Sequence, residues 1–117
     1  MITVFAVVDR RGALSRLDMS GHASVASGPK GGNTVCAAVT AVVRSCAEAI
    51  ARNPGVASVG SATEGEFHLE ITGCTDDVVD WLRGATSVLA SGVGRIGSES
   101  PDEVDFRLVT EGEQHGS

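Results

Sequence analysis

The hydrophobic and polar positions divide this chain into segments of two periods, near two residues and near 3.6. Ile2–Val8 reads I-T-V-F-A-V-V, β-branched or aromatic at most positions and apolar on both faces, which predicts a strand inside a sheet. Asp9-Arg10-Arg11-Gly12 then reads as a hairpin turn, with Gly12 suited to the positive φ such turns use. Residues 13–19 return as a second strand, Leu17 and Met19 on one face, Arg16 and Asp18 on the other. From Gly21 to Gly32 the chain is Gly-, Ser- and Ala-rich, long for a plain turn, and loops of that size often carry function. From Thr34 to about Arg52, the residues Val35, Val39, Val42, Cys46, Ala49 and Ile50 recur at spacings of three and four. This predicts a helix with that face buried. Asn53-Pro54-Gly55 ends it.

The second half repeats the alternation. Residues 56–62 read as a weaker strand, and Thr63-Glu64-Gly65 turns it into 66–71, where Phe67, Leu69 and Ile71 alternate with Glu66, His68 and Glu70. That is the pattern of a half-exposed antiparallel strand. Thr75-Asp76-Asp77 is expected to cap a second helix with the stripe Val78, Leu82, Ala85 and Leu89, its acids complementing the helix dipole. Gly92 and Gly94 are expected to end that helix, leaving 97–101 as loop. Residues 104–108 alternate again as a last edge strand, and 111–117 form a polar tail expected to fray. The order β-β-α-β-β-α-β implies a two-layer α+β sandwich, with two helices on one face of a largely antiparallel sheet.

Composition narrows the functional classes. At 117 residues the chain forms one domain and can bury a core without disulfides or a metal. Aromatic residues are limited to Phe5, Phe67, Phe106 and Trp81, so that core must be built from Val, Ala, Leu and Ile. A net charge of −6 excludes phosphate neutralisation as a driver of nucleic-acid binding and favours a basic partner. No contiguous apolar run approaches the ~20 residues that span a bilayer, and Met1 opens directly into a strand-like segment without a signal pattern. Three cysteines, an odd number without C-x-x-C spacing, fit a reduced compartment. The expectation is a cytoplasmic protein with no membrane partner, no metal and no cofactor.

Two short patches carry the candidate chemistry: Ser20-Gly21-His22-Ala23 and Asn33-Thr34-Val35-Cys36-Ala37-Ala38. Asn33 is a favoured N-cap type, which would put Cys36 at the third helical position, among unpaired N–H groups at the positive end of the dipole. A thiolate is stabilised there, and the thiolate is the nucleophile. If the intervening segment returns His22 to Cys36, the two form a Cys–His dyad, expected within about 10 Å in an unliganded site. Spacing alone leaves plainer readings open: a small buried cysteine, and a solvated histidine in a glycine-rich segment. Among the other thiols, Cys46 falls on the apolar stripe, and Cys74 lies beside Asp76 and Asp77, whose charge disfavours a thiolate. His68 sits on the polar face of a strand and His115 in the tail, so elimination leaves His22 as the base. Ala37 and Ala38 let a substrate backbone approach the helix start, with the Cys36 amide or a loop glycine as oxyanion donor; equally, alanines there simply favour helix.

The G-H-A patch followed by V-C-A-A-V-T resembles the ribosomal-processing cysteine protease family Prp (YsxB-like). Its members carry G-H-A and, a short glycine-containing loop later, D-I-V-C-A-A-x-S, and the order of strands and helices agrees along almost the whole chain. The resemblance implies a single cysteine-protease-like domain over residues 1–110, usually as a homodimer. It also implies a catalytic pair of His22 and Cys36. Asn33 stands where the family usually has aspartate; it can cap a helix and hydrogen-bond an imidazole but supplies no negative charge. Thr40 stands where the family usually has serine. Gly21, Ala23, Gly32, Ala37 and Thr40 are the candidate substrate-binding positions, and the 24–32 segment is slightly longer than the common form. The glycines at 21, 28, 31 and 32 predict that 20–32 is mobile without substrate and closes over an extended peptide. The implied activity is that of a cytoplasmic thiol endopeptidase, a hydrolase of ribosome biogenesis that removes the N-terminal extension of a large-subunit ribosomal protein. Two rival classes stay open: a non-catalytic ribosome-assembly or protein-binding module of the same fold, and a redox-active thiol protein, which lacks a convincing resolving cysteine.

Overall fold

Five strands and two helices make up the computed structural model, which describes residues 1–21 and 30–112, with side chains in the second stretch described from residue 34 onward. The strands β1 (Ile2–Val8), β2 (Leu14–Ser20), β3 (Val56–Thr63), β4 (Glu66–Cys74) and β5 (Val104–Thr110) form one sheet ordered β3-β4-β2-β1-β5. Every neighbouring pair is antiparallel except β1 and β5. The helices are α1 (Lys30–Arg52) and α2 (Val79–Glu99), the latter entered through a 3-10 turn at Asp76–Val78.

Each helix joins two strands that run the same way. The β2-α1-β3 connection steps over β4, and β4-α2-β5 steps over β2 and β1. The two crossovers leave antiparallel strands and travel in opposite directions across the sheet. The right-handed rule therefore sends both helices to the same face. Beneath them, Val4, Met19 and Phe67 align in one cross-strand row and Ala6, Leu17 and Leu69 in the next, all buried. The reverse face carries Arg16, Asp18, Glu66, His68 and Glu70 and is left to solvent.

The α1 stripe differs from its sequence reading. Cys36, Val39, Val43, Ala47 and Ile50 are buried, Val35, Val42 and Cys46 flank them, and Ala49 faces outward. By length and hydropathy Thr34–Arg52 is apolar enough to cross a bilayer, which a search for contiguous apolar runs missed; here its stripe is a core face. The helix also begins at Lys30, not Thr34, so Gly31, Gly32 and Asn33 are helical.

Glycine misled the reading of α2 as well. The helix runs through Gly92, Gly94 and Gly97 and stops at Ser100, whose successor Pro101 disfavours the helical conformation. At Gly92 a Cβ would stand 3.0 Å from Val42 Cγ1, so the missing side chain lets the two helices approach. Thr75 makes no side-chain cap bond, and β4 extends to Cys74, placing that thiol at a strand end.

Two polar devices fix the β1–β2 hairpin. In the 9–12 turn the Asp9 carboxylate accepts hydrogen bonds from the Arg11 N–H at 2.8 Å and the Ala13 N–H at 3.0 Å, and Gly12 takes φ 85°. Burial works to raise the Asp9 pKa, but these N–H groups and the Arg11 guanidinium outweigh it and hold the carboxyl below its usual range. At the strand's inner end the Leu14 N–H donates to Thr86 Oγ1 at 3.0 Å, while the Thr86 hydroxyl donates to the Leu82 carbonyl at 2.7 Å. Thr86→Val keeps the shape but strands the buried Leu14 N–H, and should cost about 1–3 kcal/mol in urea unfolding. A loss below about 0.5 kcal/mol would show that this latch contributes little.

Candidate active site

Cys36 is the seventh residue of α1, in its second turn, and its side chain is 7% exposed at the head of the buried stripe. This corrects the first-turn expectation. Because the helix starts at Lys30, the Cys36 N–H lies beyond the unpaired N–H groups of the helix start. The dipole's pull falls off within the first turn, so it acts on Cys36 only weakly. Asn33, expected as the N-cap, is inside the helix, one turn before Cys36; Thr40 is one turn after it. Offsets of three and four residues put Asn33, Cys36 and Thr40 on one helix face. Ala37 and Ala38 are exposed, so the solvent side next to the thiol is bordered by small residues.

Gly21 ends the other patch's strand, and its role here is conformational. It takes φ 74°, its N–H donates to the Gly65 carbonyl at 2.9 Å, and a Cβ there would stand 2.7 Å from the Met1 carbonyl oxygen. The chain thus leaves β2 through a left-handed residue wedged between the start of β1 and the β3–β4 turn. His22, Ala23 and the rest of 22–29 lie outside the described residues, as do the Asn33 side chain and His115. The expected Cys36–His22 approach falls on this region, as does the middle of the 20–32 segment expected to be mobile; at its two ends Ser20 belongs to β2, Gly21 is hydrogen-bonded to Gly65, and residues 30–32 are helical.

The remaining candidates sort by position. His68 is in contact with Asp18 Oδ1 at 2.6 Å, directly across the β2–β4 pair, and Asp18 also binds Arg16 at 2.7 Å. His68 is exposed on the polar face, as expected of a solvated residue, and also joins a polar cross-strand row with Asp18 and Arg16. That row lies on the face away from the helices, so His68 is separated from Cys36 by the sheet. Cys46 is partly buried against the core, and burial pushes its thiol pKa up. Cys74 Sγ lies 3.4 Å from the Thr75 carbonyl. Among the described residues no group of His, Cys, Asp and Glu converges to hold a metal.

One feature escaped the sequence reading. On the helix side of the sheet, Arg44 lies over the Phe67 ring at 5.1 Å, beside a cavity of about 380 Å³ lined by Ala47, Glu48, Ala51, Ser58, Gly60 and Leu69 among others. The available signal was the run of small residues Ser58, Gly60 and Ala62 in β3, in register beside Ile71, Leu69 and Phe67 of β4.

Comparison with known proteins agrees with this architecture. The family model described as cysteine protease Prp matches residues 1–105. The ribosomal processing protease Prp from S. aureus, solved with a substrate peptide, superposes with a TM-score of 0.74 at 23% identity, covering 92% of this chain and 99% of the other. The same S. aureus protease with a covalently linked product peptide gives 0.71 at 25% identity, covering 95% and 100%. SMU.848 from Streptococcus mutans gives 0.75 at 21% identity, covering 95% and 96%. No curated protein matches the sequence significantly.

Two outcomes follow from the geometry. Gly21→Ala forces an L-residue to positive φ, a cost of about 1–2 kcal/mol before the clash with the Met1 carbonyl is counted. Gly112→Ala, also at positive φ but with only Arg10 Nη2 nearby at 3.9 Å, should cost less in the same urea titration. Equal losses would remove the close-approach argument. For the thiols, a raised Cys46 pKa means less thiolate at any given pH. Iodoacetamide mapping by mass spectrometry should find Cys46 slow at neutral pH and faster only above the ordinary thiol range.

Proposed function

The chain belongs to the cysteine protease Prp family, and from that premise we propose that it is a cytoplasmic endopeptidase which removes the N-terminal extension of a large-subunit ribosomal protein, working as a homodimer. The observation that carries this reading is Cys36, a thiol at the head of a rigid helix stripe with small exposed neighbours, within the region the family model spans. The S. aureus structures with substrate and product peptides support a protein substrate. A ribosomal extension is basic, and a chain of net charge −6 attracts it at long range.

In this reading His22 takes the Cys36 proton as Sγ attacks the scissile carbonyl carbon. The imidazolium then protonates the departing amine, and a thioester remains on Cys36. Water, losing a proton to His22, hydrolyses the thioester, and the thiol recovers its proton. The Cys36 amide belongs to the helical ladder, so the oxyanion contact falls to an amide of the glycine-rich segment. Asn33, on the same helix face as Cys36, orients the His22 ring without contributing charge. Gly21 acts by directing the chain into His22, while Ala37 and Ala38 admit the substrate backbone.

The test is incubation of purified protein with a synthetic peptide spanning the extension junction of the ribosomal protein from the same genome, followed by mass spectrometry. Wild type should cut at one bond, and Cys36→Ala and His22→Ala should each fall by about a thousandfold or more, since nucleophile and base act as a unit. Asn33→Asp should keep or raise the rate. If wild type and Cys36→Ala cut equally, the nucleophile assignment fails. If both bind and neither cuts, the chain is a binding module instead, a role to which the buried Cys36 and the uncharged Asn33 are also suited.

A further inference from the structure

The two edges of the sheet are built differently. On β5 the outer strand carries Asp105 and Arg107, an ion pair at 3.6 Å. On β3 the sequence V-A-S-V-G-S-A-T has no charge and no proline across eight residues, and its Val59 is 58% exposed. Charges and prolines on an edge discourage pairing, and β3 has neither. It bonds only to β4, leaving its outer row of backbone groups available.

The cavity beside Arg44 belongs to this same edge. Ser58 and Gly60 are helix-facing residues in the middle of β3, and they are too small to fill the space under α1. A Cβ at Gly60 would stand 2.9 Å from the His68 carbonyl oxygen and 3.4 Å from Leu69 Cδ1, so β3 accepts no larger residue at that point. The roof is the α1 flank Arg44, Glu48 and Ala51; the back wall is Phe67 and Leu69.

The slot and the candidate active site share α1 and the β3–β4 hairpin. The Gly65 turn joining β3 to β4 holds Gly21, the residue before His22. From Cys36 to Arg44 and Ala51 is eight and fifteen residues of α1, or about 12 and 22 Å at 1.5 Å per residue. An extended peptide covers those distances in about four and seven residues.

Resting on the protease reading above, we infer that β3 is the docking strand for substrate: an extended peptide adds to the β3 edge and places an apolar side chain, about four to seven residues from the cleaved bond, in the slot beneath Arg44, Glu48 and Ala51. Main-chain pairing on the open edge supplies affinity, and the slot supplies selectivity through the alternate side chains that face it. A peptide fits better than a second copy because a two-fold-related β3 would offer only the small residues Ser58 and Gly60 to fill the slot.

The experiment uses catalytically silent Cys36→Ala protein and the fluorescein-labelled junction peptide, with binding read by anisotropy and amide exchange by mass spectrometry. Peptide should protect residues 56–63 from exchange. Ala51→Trp, a change at an exposed residue that fills the slot, should weaken binding about tenfold or more while leaving the melting temperature unchanged; Ala51→Glu, which opposes apolar occupancy by charge, should do the same. In the wild-type background Ala51→Trp should raise KM with kcat nearly constant. Unchanged affinity in both variants, or protection of 56–63 that depends on protein concentration without peptide, overturns the inference. Cleavage by wild type with no effect of either variant overturns it and leaves the protease reading standing. Slot-dependent binding without cleavage does the reverse.

Discussion

Everything at the candidate site depends on one row of contacts, the stripe Cys36, Val39, Val43, Ala47 and Ile50 that seats α1 on the sheet. Each fully buried aliphatic side chain in such a row contributes about 1.5–3 kcal/mol relative to exposure. With few aromatic residues in the core, that contribution comes from many short side chains packed closely. The thiol is the first member of the row. Its position is therefore set by the same packing that holds the domain together, and a change at Val39 or Val43 would move the nucleophile as well as weaken the fold.

Such a placement has an electrostatic corollary. The sheet separates two chemistries: the apolar layer with Cys36 on one side, and the Arg16, Asp18, His68 and glutamate row on the other. Charges on the far face are screened by solvent and reach the thiol only weakly. What tunes Cys36 must then come from its own layer, from the chain that leaves β2 at Gly21, and from α1 itself.

Elements with strong alternation or a clear stripe were legible in the sequence. The strands Ile2–Val8 and the Phe67, Leu69, Ile71 alternation appear where the pattern puts them, and the ββαββαβ order follows. The departures at the helix ends share a cause, glycine, which punctuates a sequence pattern but need not end a helix. Gly31 and Gly32 lie inside α1, and Gly92 and Gly94 inside α2; the intrinsic cost of glycine in a helix is modest, and at Gly92 the close approach of Val42 needs the missing side chain. Misreading the α1 start also displaced Cys36 by a turn and turned Asn33 from a helical residue into a cap. The slot beneath Arg44 was invisible for another reason. It is defined by side chains that are missing from β3, and a run of Ser, Gly and Ala reads as weak propensity until the strand beside it is known. Gly21 was singled out as a contact to substrate; its positive φ and the Met1 carbonyl against it give the residue a purpose that spacing could not reveal.

The unequal edges of the sheet also bear on how this protein behaves when crowded. A strand that accepts a neighbour on one side only has no opposite edge from which growth could continue, because the far rim carries Asp105 and Arg107. Any sheet-to-sheet association must join open rim to open rim, and it is then exhausted. Such geometry terminates at a pair and gives no route to a filament, so the molecule can expose an uncharged strand for use without the hazard that an endlessly repeatable contact would bring.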